Sequence, residues 1–287
     1  MQAKFLFLDG VSTRVLIAGS GPALLLLHPI GHSADLFFRN IDELGRTYTV
    51  IAADLPGHGF SDAISFEDRP PQVATCDHLL HLISALGHEK FSVVGSSYGG
   101  LVATLLALMA PERVTRLCIV GSASTFANGD DKAQSLRAVL ANASLAMRAP
   151  TLEACRTRMG NICFDRRSVA EEILPLQVTY YAMPDRFTAF SHTIESLIAS
   201  AMVDEGVVHT RLGELEMPTL VLVGRDDTRA DWQAHEAGVG RMRDGRLVVL
   251  DKCGHLPYME HADFFNETLL GFLGEQPRQV KHDAEPA

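Results

Sequence analysis

Apolar residues come along this chain in short leucine-rich or β-branched runs, and several are followed by longer stretches with helical spacing. Phe5–Leu8 and Arg14–Ala18 predict an opening pair of strands, turned at Asp9-Gly10, a dipeptide that tolerates the positive φ of a tight hairpin. Ala23–Leu27 contains no polar residue, as a strand buried on both faces requires. Tyr48–Ala53, Phe91–Val94, Arg116–Val120, Thr219–Val223 and Arg246–Leu250 repeat that type, while Val73–Leu86 and Leu101–Ala110 read as helices. Strands alternating with helices predict an α/β fold with a mostly parallel, doubly wound sheet.

One interval breaks the alternation. From about Thr125 to Pro184 no strand pattern occurs, and the segment carries Arg137, Arg148, Arg156, Arg158, Arg166 and Arg167. This predicts a helical insertion over 125–184, dividing a core of 1–124 and 185–275. The last stretch, 276–287, is polar and without period, and is expected to be a frayed tail. The chain shows no internal repeat.

Composition narrows the classes of function. A chain of 287 residues can bury a large core, and its net charge of −10 excludes a broad basic face for nucleic acid or anionic membrane. The five cysteines, an odd number in apolar settings such as those of Cys76 and Cys118, are expected to be free thiols of a reducing compartment. The N-terminal apolar run ends at Asp9, too short for a signal-peptide core, and no apolar run is long enough to span a membrane. A cytoplasmic location is expected. Oligomeric state leaves no signature in the chain.

The candidate chemistry begins at Gly95-Ser96-Ser97-Tyr98-Gly99-Gly100, where a strand runs straight into a helix. A serine hydroxyl needs a base and oxyanion donors to act as a nucleophile, and a sharp strand-to-helix turn lifts it out of the sheet to meet them. Such a turn leaves no room for bulk two residues before and two after the serine. Ser97 has Gly95 and Gly99 at those places, whereas Ser96 would have Val94 and Tyr98. Ser97 is the candidate.

Its partners are expected after later strands, since sites of open α/β sheets form at the strands' C-terminal ends. Asp226 and Asp227 follow Thr219–Val223, and His255 follows Arg246–Leu250 in a glycine-containing loop. The backbone N–H of Tyr98, next after the serine, is one oxyanion donor, and Ile30 in the loop after Ala23–Leu27 is the choice for the second. A metal site at His28 and His32 is disfavoured, because no carboxylate or cysteine stands beside them at ligand spacing. His78, His81 and His88 are expected to be surface or packing residues.

These segments resemble the α/β-hydrolase fold superfamily over nearly the whole chain. "LLLLHPIGHS" is similar to its oxyanion loop, "ADLPGHGFSD" to a strand-end turn, "VVGSSYGG" to its nucleophile elbow, "VLVGRDD" to its acid loop and "KCGHLPYMEHADFFNETLLGFL" to its histidine loop. The resemblance implies a Ser97–Asp227–His255 triad, an oxyanion hole at Ile30 and Tyr98, two-step acyl transfer without metal or organic cofactor, and an insertion that caps the pocket. There are departures: Pro29 replaces the usual glycine, and Ala230-Asp231 stands where a proline commonly follows, which keeps Asp226 as the alternative acid. The first expectation is hydrolysis of small, largely apolar esters or lactones. The second is C–C bond hydrolysis of aromatic ring-fission products, against which count the absent Ser-Gly-Pro-Gly-rich loop and Leu256 in place of a tryptophan. A third is a ligand receptor that retains the triad.

Overall fold

Strands without a polar face are satisfied only between two helical layers, and the chain builds that sandwich. A computed structural model of the chain describes residues 1–66, 69–127, 129–200 and 204–275. One eight-stranded sheet has the order β1-β2-β4-β3-β5-β6-β7-β8. The strands are β1 Gln2–Leu8, β2 Val11–Ala18, β3 Ala23–Leu27, β4 Thr49–Ala53, β5 Phe91–Ser96, β6 Val114–Val120, β7 Thr219–Gly224 and β8 Gly245–Leu250. β1 and β2 pair antiparallel, β2 joins β4 antiparallel, and β4-β3-β5-β6-β7-β8 run parallel. The hairpin turn lies at Asp9 and Gly10, whose φ values of 49° and 84° are those of a type I′ turn.

Every residue of β3, β5 and β7 is buried. β5 runs two residues past the predicted Val94, because Gly95 and Ser96 pair with Ile119 and Val120 through backbone alone. Helix α1 (Pro71–Ala85) and helix α2 (Tyr98–Met109) flank the central strands, and α2 begins three residues before the predicted Leu101.

The insertion is helical, with α3 Gly129–Arg148, α4 Leu152–Gly160, α5 Leu174–Tyr181 and α6 Arg186–Ala199. From Asp185 the chain runs on as α6, which turns Phe190, Ile194 and Leu197 inward and packs against α3, α5 and the core helix α1, and the next core strand starts at Thr219. We refer to this layer as the cap. α7 (Trp232–Val239) and α8 (Ala262–Gly274) complete the core, and 276–287 lie outside the described residues. Among the described residues no helix is long and apolar enough to cross a membrane.

Candidate active site

At the end of β5 the chain turns within one residue. Ser97 adopts φ 55° and ψ −116°, a conformation costly for a residue with a side chain. Its neighbours show why the glycines are obligatory. A Cβ on Gly99 would lie 2.4 Å from the Leu27 carbonyl oxygen, and one on Gly95 would lie 2.0 Å from that of Gly99. The turn is fastened on both sides: the Ser97 amide donates to Val120 O at 2.9 Å, and Ser122 Oγ donates to Ser97 O at 2.6 Å. Ser96 is fully buried within the strand.

Two loops at the same edge of the sheet meet this turn. His255 Nδ1 donates to Asp227 Oδ2 at 2.8 Å, and the Asp227 side chain is wholly buried. The other carboxylate oxygen accepts from the amides of Arg229 (2.7 Å) and Ala230 (3.1 Å), which fixes its direction. With Nδ1 engaged as donor, Nε2 is left as the basic nitrogen. Asp226, the alternative acid, is exposed and donates its amide to Cys253 O at 3.0 Å. Of the adjacent pair, Asp227 is the one brought to the histidine.

His255 and Ser97 line one cavity, with about 330 Å³ of empty space including its mouth. Ile30, 4% exposed, also lines it. The Ile30 turn is closed by His32 N donating to Pro29 O at 3.3 Å, with Gly31 in third place at φ 71°. That is the conformation a type II turn demands. The glycine the loop needs therefore sits two residues after the Pro29 position. Tyr98 is the first residue of α2, so its amide has no carbonyl of its own helix to bond.

The two loop histidines are tied up within the fold. His28 Nδ1 donates to Pro29 O at 2.7 Å, Nε2 accepts from Leu55 N at 2.9 Å, and burial pulls the ring down to about 4. His32 is buried, accepts from Gln177 Nε2 at 3.3 Å, and is held well below its ordinary value by burial and then by Arg158. No group of His, Cys, Asp and Glu among the described residues is arranged to hold a metal ion.

Of the six arginines of the predicted insertion, Arg158 is the one that lines the cavity; Arg186, at the start of α6, is also buried but donates to Ser61 O at 2.7 Å. Arg156 pairs with Glu153 and Glu171, Arg167 pairs with Asp165, Arg148 lies over Phe187, and Arg137 and Arg166 are exposed. Arg158 is 3% exposed and lines the cavity beside Arg229, with no carboxylate among the described lining residues. Burial pulls it down to about 10, with Arg229 repulsion in the same direction, so it stays cationic near neutrality.

Three supports went unread in the sequence. Glu260 accepts from the amides of Gly254 and Leu256 in the histidine loop (3.1 Å each) and from Phe164 of the cap (2.7 Å). Asp54 accepts from Ala34 N (2.7 Å), Phe60 N (2.8 Å) and Arg14 Nε (2.7 Å), tying together two strand-end loops. Tyr181 donates to Gly31 O at 2.7 Å. A signal for Arg158 was present: it shares a helical face with the apolar Cys155 and Met159.

The family model described as the alpha/beta hydrolase family matches residues 24–268. The chain belongs to that family. A 2-hydroxy-6-oxononadienedioate/2-hydroxy-6-oxononatrienedioate hydrolase of Paraburkholderia phymatum is 32% identical over 275 residues, 93% of this chain and 88% of that one. A 2-hydroxy-6-oxo-6-phenylhexa-2,4-dienoate hydrolase of Burkholderia cepacia is 31% identical over 261 residues, 89% of each chain. Among solved structures, a meta-cleavage product hydrolase of Pseudomonas fluorescens IP01 superposes with TM-score 0.78 at 27% identity, over 94% of this chain and 97% of that one. As a member of the alpha/beta hydrolase family, this chain contributes its cap arginine to a scaffold shared with those proteins.

Proposed function

We propose that this hydrolase cleaves a C–C bond in acid-bearing ring-fission products, the 2-hydroxy-6-oxo-dienoate class, by way of a Ser97 acyl-enzyme. The observation that carries this reading is the charge of the cavity. Ser97 and His255 face a space lined by Arg158 and Arg229, in a chain of net charge −10. Two cations beside the nucleophilic serine suit an anion far better than a neutral ester. The named activities of the relatives support the same class, and together they favour the second of the sequence hypotheses over the ester and lactone reading.

In this reading His255 takes the Ser97 proton while Asp227 keeps its ring in one tautomer and orientation. The Ser97 oxygen adds to the 6-oxo carbonyl, and the amides of Ile30 and Tyr98 receive the oxyanion. Collapse breaks the bond between that carbonyl carbon and its neighbour. That bond can break because the 2-hydroxydienoate first moves its 2-OH proton to C5, giving the 2,6-dioxo tautomer with a 3,4 double bond. The C5–C6 electron pair then passes through that double bond to the 2-oxo oxygen, which takes the proton back from His255 as the 2-hydroxydienoate forms. Water then cleaves the acyl-serine, so that one water is consumed and a carboxylic acid and a 2-hydroxydienoate leave. Stopped-flow absorbance on a phenyl-substituted and a dioate ring-fission product, beside p-nitrophenyl esters, tests it. The expected outcome is a higher kcat/KM for a ring-fission acid than for every ester. Faster turnover of neutral esters would return the assignment to carboxylic-ester hydrolysis.

A further inference from the structure

We propose that Arg158 is a positioning residue through which the cap sets the direction of the Ile30 oxyanion amide. The inference rests on the serine-hydrolase reading above and concerns how its oxyanion hole is assembled. An amide N–H points opposite to the carbonyl of its own planar peptide. For Ile30 that carbonyl belongs to Pro29, and the core holds it: His28 Nδ1 donates to it at 2.7 Å and His32 N at 3.3 Å. The next two carbonyls are held from the cap. Arg158 Nη1 donates to Gly31 O at 2.8 Å, Nη2 reaches Ile30 O at 3.5 Å, and Tyr181 adds a second donor to Gly31 O at 2.7 Å.

This attachment answers a weakness of the turn. Gly31 has no side chain to fix its dihedrals, and a turn of this kind rotates readily about its central peptide. The space where a Cβ would sit is filled from the cap, 2.7 Å from Arg158 Nη2 and 2.7 Å from Phe190. The Arg158 guanidinium in turn lies over the Tyr181 ring at 5.2 Å, so the two donors brace each other. Two successive carbonyls gripped by one rigid fork leave the turn a single orientation. Cap docking and a competent oxyanion hole are thereby one event.

A neutral substrate separates this role from any binding of a substrate carboxylate. Using p-nitrophenyl acetate, Arg158→Met should lower kcat by roughly 10- to 100-fold with KM changed less than about 3-fold, somewhat below the loss from deleting an oxyanion donor outright. The Ki of an aryl trifluoromethyl ketone, which forms a tetrahedral adduct on serine, should rise by the same factor as kcat/KM falls. Tyr181→Phe, a milder change, should show the same signature at a few-fold. A lost packing contact alone would lower Tm without this matched change in kcat and ketone affinity. Unchanged kcat and ketone Ki in Arg158→Met overturn the proposal; should that variant not fold, unchanged values in Tyr181→Phe do so. A wild-type enzyme that forms no ketone adduct would instead overturn the serine reading beneath it.

Discussion

Strand β5 buries every residue from Phe91 to Ser96, whereas cap helix α3 buries few of its residues from 131 to 148, among them Leu136, Ala143, Ala146 and Met147. The core strand is enclosed on two faces and bonded on two edges, so its direction and its end are fixed. A reactive residue placed at that end inherits the precision. The cap helix is constrained along one stripe and free elsewhere. Its outer face carries charge at little cost, and only the few residues turned inward touch the site. Changes at the strand ends should therefore abolish chemistry, and changes in the cap should redirect it.

The sharpest break of that contrast is at the nucleophile. Ser97→Ala should lose at least about 10³-fold in rate with Tm nearly unchanged, because the three residues act as a unit. Ser96→Ala, one position earlier and inside the strand, should remain active. An inactive Ser96→Ala beside an active Ser97→Ala would reverse the assignment. Next comes the acid: Asp227→Asn should cost about 10³- to 10⁴-fold in kcat by favouring the wrong tautomer of His255. Asp226→Asn should be mild, and equal losses would mean that the loop as a whole, not one carboxylate, positions the histidine.

The acid limit of stability should also be set by the core. His28 and His58 are buried and pulled by burial from 6.5 to about 4 and about 3. The unfolded chain binds those protons first, so stability is full above about 6.5 and falls as pH drops towards the folded values. The loss is on the order of 3 kcal/mol per ring. Urea midpoints should therefore decline between pH 7 and pH 4, and a flat profile would contradict buried neutral rings. The smallest effects belong to the charges around the pocket. Arg229→Gln should lose roughly 1.5–3 kcal/mol on an acid-bearing substrate and little on a neutral one. Ala at Arg137, Arg156, Arg166 or Arg167 should leave that selectivity unchanged, and a shift in any of them would place a second cap cation in the site.

How legible each part was in the sequence obeys the same division. Ala23–Leu27 could be read to the residue, because a run with no polar face has one structural solution. Ser97 was legible because the crowding around it admits only glycine at two fixed places. Periodicity could not separate Asp226 from Asp227, since a loop has no period, and the choice of Asp227 came from the resemblance of the acid loop; in the structure the amides of Arg229 and Ala230 aim its carboxylate at His255. Where the cap gives way to the core was hard to read because α6 has helical spacing that serves either layer, and it packs against helices of both. Arg158 was one cation among six; its place on the apolar face of Cys155 and Met159 was the one signal, and packing turns it inward.

The histidine loop is bonded directly to the cap: the His255 amide donates to Ile162 O at 2.8 Å, and Phe164 N donates to Glu260 at 2.7 Å. Those bonds fall at and within a few residues of His255, while the cap's Arg158 and Tyr181 bond the Gly31 turn. A roof bonded at two places cannot swing up like a flap without pulling on both His255 and the Gly31 turn. Access to the cavity is then expected between lining side chains such as Val139, Asn142 and Ile162, with the cap left in place. In the cleavage proposed above, the order in which the two fragments depart would then be a property of that seam between cap and core and not of which fragment binds more weakly.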